Sequence, residues 1–146
     1  MAILAGLSLA TSSFALKHES GTHVRFTTNT RSVILLTVRT EGRDAVFLLD
    51  TGATVTYIDV TALKLDARPQ FFVSVEQTNQ KTSRGVYKLQ LQMGEEKFAG
   101  QFIDVDLTGT RRECSCEVVG LIGMDFLSRY VSVEIDFRER VISFRR

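Results

Sequence analysis

From Ser32 onward the chain alternates short apolar runs with polar turns. Ser32–Thr40 (SVILLTVRT) is dense in Val, Ile, Leu and Thr, Glu41-Gly42-Arg43-Asp44 supplies a turn, and Ala45–Leu49 (AVFLL) resumes the apolar run. Two β-prone runs split by a short Gly-containing connection predict a hairpin. The second run is apolar at every position, which predicts a strand covered on both faces. Thr54–Asp59 predicts another strand, and Val60–Leu65 a helical turn that ends before Pro69. Glu76–Gly85 (EQTNQKTSRG) is polar and carries turn chemistry. Val86–Met93 then alternates, with Tyr87, Leu89, Leu91 and Met93 on one side and Lys88, Gln90 and Gln92 on the other. Gly94-Glu95-Glu96 makes the next turn, and Phe98–Leu107 a further strand. Near the end Val131, Val133, Ile135 and Phe137 alternate with polar residues, and Arg138-Glu139-Arg140 turns the chain into Val141–Phe144. Only Met124–Tyr130 reads as a helix. The class is mostly β, with one domain over residues 32–146 and a polar leader arm over 16–31 that is broken by Val24–Phe26.

Composition narrows the function. A chain of 146 residues can bury one core unaided. Eighteen basic residues against 17 acidic ones leave a formal charge of +1, which argues against a nucleic-acid binder with its basic excess. Cys114 and Cys116 are too few for a disulfide framework or a four-cysteine zinc site. Their spacing places both on one face of a strand, as two small apolar residues. Met1–Ala10 is apolar, and Ser13 and Ala15 form the small-x-small pattern of a signal-peptide cleavage site, although no Lys or Arg precedes the run. Residues 1–15 as a signal peptide would make the protein periplasmic or secreted; retained, they would leave it cytoplasmic. The run is shorter than the roughly 20 residues that span a bilayer, so no stable membrane span is expected. His18 and His23 sit in the polar arm and read as surface residues, and Asp104 and Asp106 as solvent-facing strand residues.

The chemistry concentrates in Leu48-Leu49-Asp50-Thr51-Gly52-Ala53-Thr54, a carboxylate at the end of an apolar strand followed by a hydroxyl, a glycine and a small residue. Water needs a base to become a nucleophile, and a scissile carbonyl needs an acid. Two carboxylates held about 3 Å apart serve as both, because they cannot both ionise and so share one proton. Such a pair needs rigid support. The strand fixes the backbone, the Thr51 hydroxyl would lock the turn, and Gly52 lets backbone N–H groups approach the carboxylate.

The stretch Ala45–Asp59 resembles the active-site hairpin of retropepsin-like aspartic peptidases, and Gly120-Leu121-Ile122-Gly123-Met124-Asp125-Phe126-Leu127 resembles that family's apolar-apolar-Gly element and the short helix after it. Leu89–Leu107 is similar to the strands that follow the flap in bacterial members, so the likeness spans about residues 32–144. The resemblance implies a closed β-barrel, half of an acid protease, with one short C-terminal helix. It implies an aspartic endopeptidase with Asp50 as catalytic residue and Thr51, Gly52, Ala53, Leu121, Ile122 and Gly123 supporting the site. No metal or cofactor is implied. The chain has one such motif; Asp106-Leu107-Thr108-Gly109 has the wrong spacing for a second. The dyad would therefore be completed by Asp50 of a second copy, in a two-fold homodimer acting on a peptide or protein substrate.

The family's flap falls on Gln77–Gly85, with Gly85 and Val86 as substrate-facing candidates. Viral members have a glycine-rich flap tip and often an Arg-Asp/Asn pair after the downstream glycine, whereas this chain has one glycine in the tract, Gly85, and Met124-Asp125. Asp125 reads as a cap or first-turn charge. A catalytically silent peptide-binding or dimerisation module on the same fold is the alternative. The protease of a retroelement is a third reading, which differs only in biology.

Overall fold

The computed structural model describes residues 21–77 and 80–146. The signal-peptide candidate (1–15), His18 and the tip of the flap tract at residues 78–79 lie outside the described residues. Ten strands make one sheet in the order β5-β6-β7-β4-β8-β3-β2-β1-β10-β9. A further pairing of β2 (Ile34–Thr40) with β6 (Gln80–Met93), at Arg39 and Gln92, rolls six of them into a closed barrel. The other four barrel strands are β3 (Arg43–Leu49), β4 (Tyr57–Ile58), β7 (Glu96–Asp104) and β8 (Val118–Ile122). Strands β1 (Thr22–Thr28), β10 (Val141–Arg145) and β9 (Ser132–Asp136) extend the sheet beyond β2, and β5 (Phe71–Gln77) extends it beyond β6.

The predicted hairpin is β2–β3, turned at Glu41 and Gly42, both with positive φ (48° and 78°). Two consecutive positive φ values define the tight turn whose twist matches its strands, and glycine takes such a φ without strain. Alternation puts Leu36, Val38 and Thr40 of β2 inside the barrel. In β3 Phe47 is fully buried, while Val46 and Leu48 on the other face are half-buried, so the second face is only partly covered. Along its edge β3 pairs in parallel with β8. The core cluster joins the barrel interior to an aromatic group of Phe98, Phe126, Tyr130 and Phe144, with ring centroids 4.8–5.6 Å apart in successive pairs.

Four expectations change. The arm contains β1, whose Val24 and Phe26 are buried, while His23 and Arg25 are exposed. Backbone pairing with β10 and β2 makes this polar-looking segment a strand. The polar tract 76–85 is mostly strand rather than turn, because β5 and β6 run as a ladder out to Gln77 and Gln80. The strand predicted over 54–59 shortens to β4, and Val60–Leu65 forms the expected turn through bonds from Leu63 N to Asp59 O and Leu65 N to Val60 O. Finally, there are two helices among the described residues. α2 (Met124–Leu127) is the predicted one, and α1 (Thr108–Cys114) was not expected. α1 ends in left-handed Ser115 (φ 52°), which folds the chain back so that Cys114 and Cys116 join in a disulfide instead of standing side by side on a strand. No helix among the described residues is long and apolar enough to cross a membrane.

A buried carboxylate of β7 ties β1, the segment after α2 and Arg146 to the barrel. Glu96 accepts hydrogen bonds from Thr22 Oγ1 and Tyr130 OH, each 2.6 Å, and pairs with Arg146 at 2.8 Å. Burial alone would raise its pKa; these donors outweigh that and hold it below the ordinary 4.5. Burial, with Glu96 alongside, pushes the Tyr130 hydroxyl up to about 12. A carboxylate with a depressed folded pKa adds stability that is present above its unfolded pKa and is lost as pH falls through the folded value. In urea titrations at a series of acid pH values, Glu96→Gln is therefore expected to flatten the fall of stability below about 4.5. Identical slopes in the two proteins would remove Glu96 as a source of acid lability.

Candidate active site

Asp50 stands where β3 leaves the barrel, between the sheet and an open cleft. Its backbone N–H donates to Ile122 O at 3.0 Å, which continues the β3–β8 pairing by one residue. The next turn folds back on the carboxylate: Gly52 N–H donates to Asp50 Oδ1 at 2.9 Å, and Ala53 N–H to Asp50 O at 3.2 Å. A carboxylate oriented by a backbone N–H beside it is the support predicted for Gly52.

Below the turn the chain crosses itself. Met124 N–H donates to Ala53 O (2.8 Å) and Asp125 N–H to Thr54 O (3.1 Å), so the loop after Asp50 lies on the segment after β8. Gly123 is buried at the crossing. A Cβ there would stand 2.6 Å from the Val55 carbonyl carbon and 2.9 Å from Ala53 O. Both are backbone atoms, which cannot yield as a flexible side chain would, so only glycine fits. Gly120 has a similar role against the Phe47 ring, whose Cζ would be 2.7 Å from an added Cβ.

The hydroxyl that locks this crossing is Thr56, which sequence reasoning did not single out. It is 1% exposed, donates to Asp125 Oδ1 at 2.7 Å and accepts from Gly123 N–H at 3.1 Å. Thr51, expected as the lock, is exposed, and its hydroxyl has no hydrogen-bond partner among the described residues. Asp125 also accepts from Phe126 N–H in the first turn of α2, in keeping with the capping role expected of it. Of the downstream triplet, Leu121 faces the cleft, Ile122 enters the core and Gly123 makes the crossing.

The cleft beside Asp50 measures about 290 Å³. Ala53, Tyr57, Ile103, Leu107 and Leu121 give it apolar walls, and Val75 and Arg84 of the β5–β6 ribbon close one side. Gly85 and Val86, the flap candidates, are buried at the root of that ribbon, with Gly85 packed on Tyr87 and Pro69. Asp104 is half-buried rather than solvent-facing, and accepts Val60 N–H at 3.1 Å. Asp106 is exposed as expected, but it follows β7 instead of lying on it; both carboxylates line the cleft. The Thr108 hydroxyl and N–H hold the Asp106 carboxyl below the usual carboxylate range, with help from the charges of Arg111 and Arg84.

Behind that wall lies a buried ion pair that no sequence pattern announces. Asp59 is 3% exposed and accepts from Ala62 N–H (2.9 Å), Leu107 N–H (3.0 Å) and the Arg111 guanidinium (2.9 Å). Burial would raise its pKa, but these donors hold it below the ordinary value. Arg111 also donates to Val118 O and Thr108 Oγ1, so one guanidinium ties α1 to β4 and β8.

A family model described as aspartyl protease matches residues 36–126. Among solved structures, a retropepsin-like aspartic protease from Rickettsia conorii is similar with a TM-score of 0.58 at 17% identity, over 86% of this chain and 91% of that one. The simian foamy virus (mac) protease matches with a TM-score of 0.49 at 17% identity, over 64% of this chain and 91% of that one. No curated protein matches the chain.

Two substitutions test the support of the loop. Thr56→Val leaves the buried Gly123 N–H without its acceptor and is expected to cost about 1–3 kcal/mol by urea denaturation. Arg111→Leu strands the Asp59 carboxylate and is expected to cost about 3–5 kcal/mol. Losses below about 0.5 kcal/mol in both would show that the crossing and the α1 anchor stand without these bonds.

Proposed function

The chain belongs to the aspartyl protease family, and from that premise we propose that it is an endopeptidase that works as a two-fold homodimer, with Asp50 of each copy forming the catalytic dyad. The observation that carries this reading is the Asp50 carboxylate itself, held by Gly52 N–H on a loop that Gly123 underpins, at the mouth of a cleft with apolar walls. The retropepsin-like fold supports it. So does the single Asp-Thr-Gly of the chain, since water activation in this way needs two carboxylates. Thr51 and Gly52 are exposed on the same loop, and Met124 beside the crossing is 39% exposed, which leaves that face open to a second copy.

The chemistry follows from one shared proton. A water molecule lies between the two carboxyl groups; the ionised one takes a proton from it as its oxygen attacks the peptide carbonyl carbon. The protonated one gives its proton to the carbonyl oxygen, and a neutral gem-diol forms. The first carboxyl then passes its new proton to the amide nitrogen while a gem-diol hydroxyl returns one to the second carboxylate. The C–N bond breaks, an acid and an amine leave, and the dyad again holds one proton. An extended peptide would lie along the cleft with its backbone paired to the β5–β6 ribbon and its apolar side chains against the walls.

A mixed peptide library at about pH 5, near the range in which a carboxylate dyad shares one proton, is expected to be cut by the wild-type dimer. Turnover should drop by at least about 10²-fold in Asp50→Asn, with the dimer itself retained by light scattering. A dimer that binds peptides but leaves the whole library intact would overturn the peptidase reading in favour of a binding module.

A further inference from the structure

The cleft does not stop at Asp50. A second space of about 290 Å³ continues it past Thr61 and Thr108, and the two share Arg84, Asp104, Val105 and Asp106. Asp104 and Asp106 thus stand at the junction, within the groove that an extended substrate would follow. We propose that these two carboxylates set the specificity of the cleft by selecting peptides with a Lys or Arg side chain close to the scissile bond. The proposal rests on the reading of Asp50 as catalytic.

Three observations carry it. First, both carboxylates are hydrogen-bonded to the wall and salt-bridged to no cation, although the charges of Arg84 and Arg111 reach Asp106. Asp104 Oδ1 accepts Val60 N–H at 3.1 Å, and Asp106 Oδ1 accepts Thr108 N–H at 2.8 Å. Among the described residues the ion pairs are Arg39–Asp44, Arg111–Asp59 and Arg146–Glu96, so neither carboxylate is salt-bridged. Second, the local charge is negative. Asp59 and Arg111, which also border the second space, neutralise each other at 2.9 Å. That leaves two carboxylates facing one guanidinium, Arg84, before Asp50 is counted. Third, apolar side chains alternate with the carboxylates along the wall: Ile103 and Val105, both half-buried, line it beside Asp104 and Asp106. A long basic side chain needs an apolar track for its methylene stem and anions for its head, and this wall alternates the two. In a groove partly shielded from water such a charge contact is stronger than on an open surface.

Arg84 is the competing element. It lies on β6 opposite Val73 of β5, on the ribbon that closes the cleft, and its charge would favour an acidic substrate side chain if it prevailed.

The test compares two peptides that differ at one position, Lys against the uncharged norleucine, placed in turn on each side of the cut, and reads the ratio of kcat/KM. The wild type is expected to favour Lys by roughly ten-fold or more at one position at low salt, and the ratio should shrink as salt rises. The Asp104→Asn and Asp106→Asn pair keeps both backbone acceptors and should bring the ratio to about one. Arg84→Gln, on the exposed ribbon, should raise it, and remains informative if the double variant folds poorly. No basic preference, a preference for Glu in place of Lys, or a ratio that survives both Asn substitutions would overturn the proposal. If nothing is cleaved, the catalytic reading of Asp50 fails by itself. Fluorescence anisotropy of the same peptides on Asp50→Asn then decides the charge selection: tighter binding of Lys sustains it, and equal binding overturns it.

Discussion

At Gly123 two backbones pass so closely that no side chain can stand between them, and the Asp50 loop rests on that contact. The peptide groups of Ala53 and Thr54 accept from the N–H groups of Met124 and Asp125, and Thr56 closes the crossing from below by bonding Gly123 and Asp125 at once. Every one of these groups is fixed by its partner, so the loop has little freedom to swing. The carboxyl at its tip accepts from Gly52 N–H and forms no salt bridge among the described residues.

The barrel makes this crossing affordable in topological terms. β3 and β8 run parallel, and so do β4 and β7, while β4 and β8 are antiparallel. The segment from Asp50 to Tyr57 must therefore leave one strand, pass over the end of β8 and re-enter the sheet beside it. The loop that results is short and strapped at both ends by sheet hydrogen bonds. On the far side, the Asp59–Arg111 pair performs the same service for the cleft wall, since Leu107 N–H and the guanidinium share one carboxylate oxygen. Polar ties of this kind need full satisfaction, because a buried charge left alone costs more than the pair contributes.

Those elements whose cause is local could be read from the sequence. Leu36, Val38 and Phe47 declare a hairpin through apolar spacing, and Asp50-Thr51-Gly52 with Leu121-Ile122-Gly123 marks the candidate site by its resemblance to the family's motifs. What escaped was tertiary in origin. Thr108-Gly109-Thr110 is poor helix sequence, and α1 has no side-chain cap; it is held by Arg111 reaching a carboxylate 52 residues away. Strand β1 has only Val24 and Phe26 to declare it, and its remaining support is pairing with β10 more than a hundred residues downstream. Thr56 looked like one more β-former until the segment after β8 was found to lie against it. The ribbon tract looked like loop because its residues are polar at successive positions, so no apolar period marks it as strand.

The same division explains why the support of the site is easier to read than its selectivity. Support is a matter of close packing around a few atoms, and it leaves residue types with no alternative, as at Gly123. The proposed selectivity depends on where β7 ends and the chain turns into α1, which brings half-buried Asp104 and exposed Asp106 to the lining of the groove. That turn is set by Asp59, whose two oxygens take the N–H groups of Ala62 and Leu107 on either side of the wall. The buried Asp59–Arg111 pair therefore anchors the segment that carries these two carboxylates. The Asp50 carboxyl and the Asp104–Asp106 wall are held by separate devices, backbone packing for the first and a buried ion pair behind the second. Changes in one can then proceed without disturbing the other.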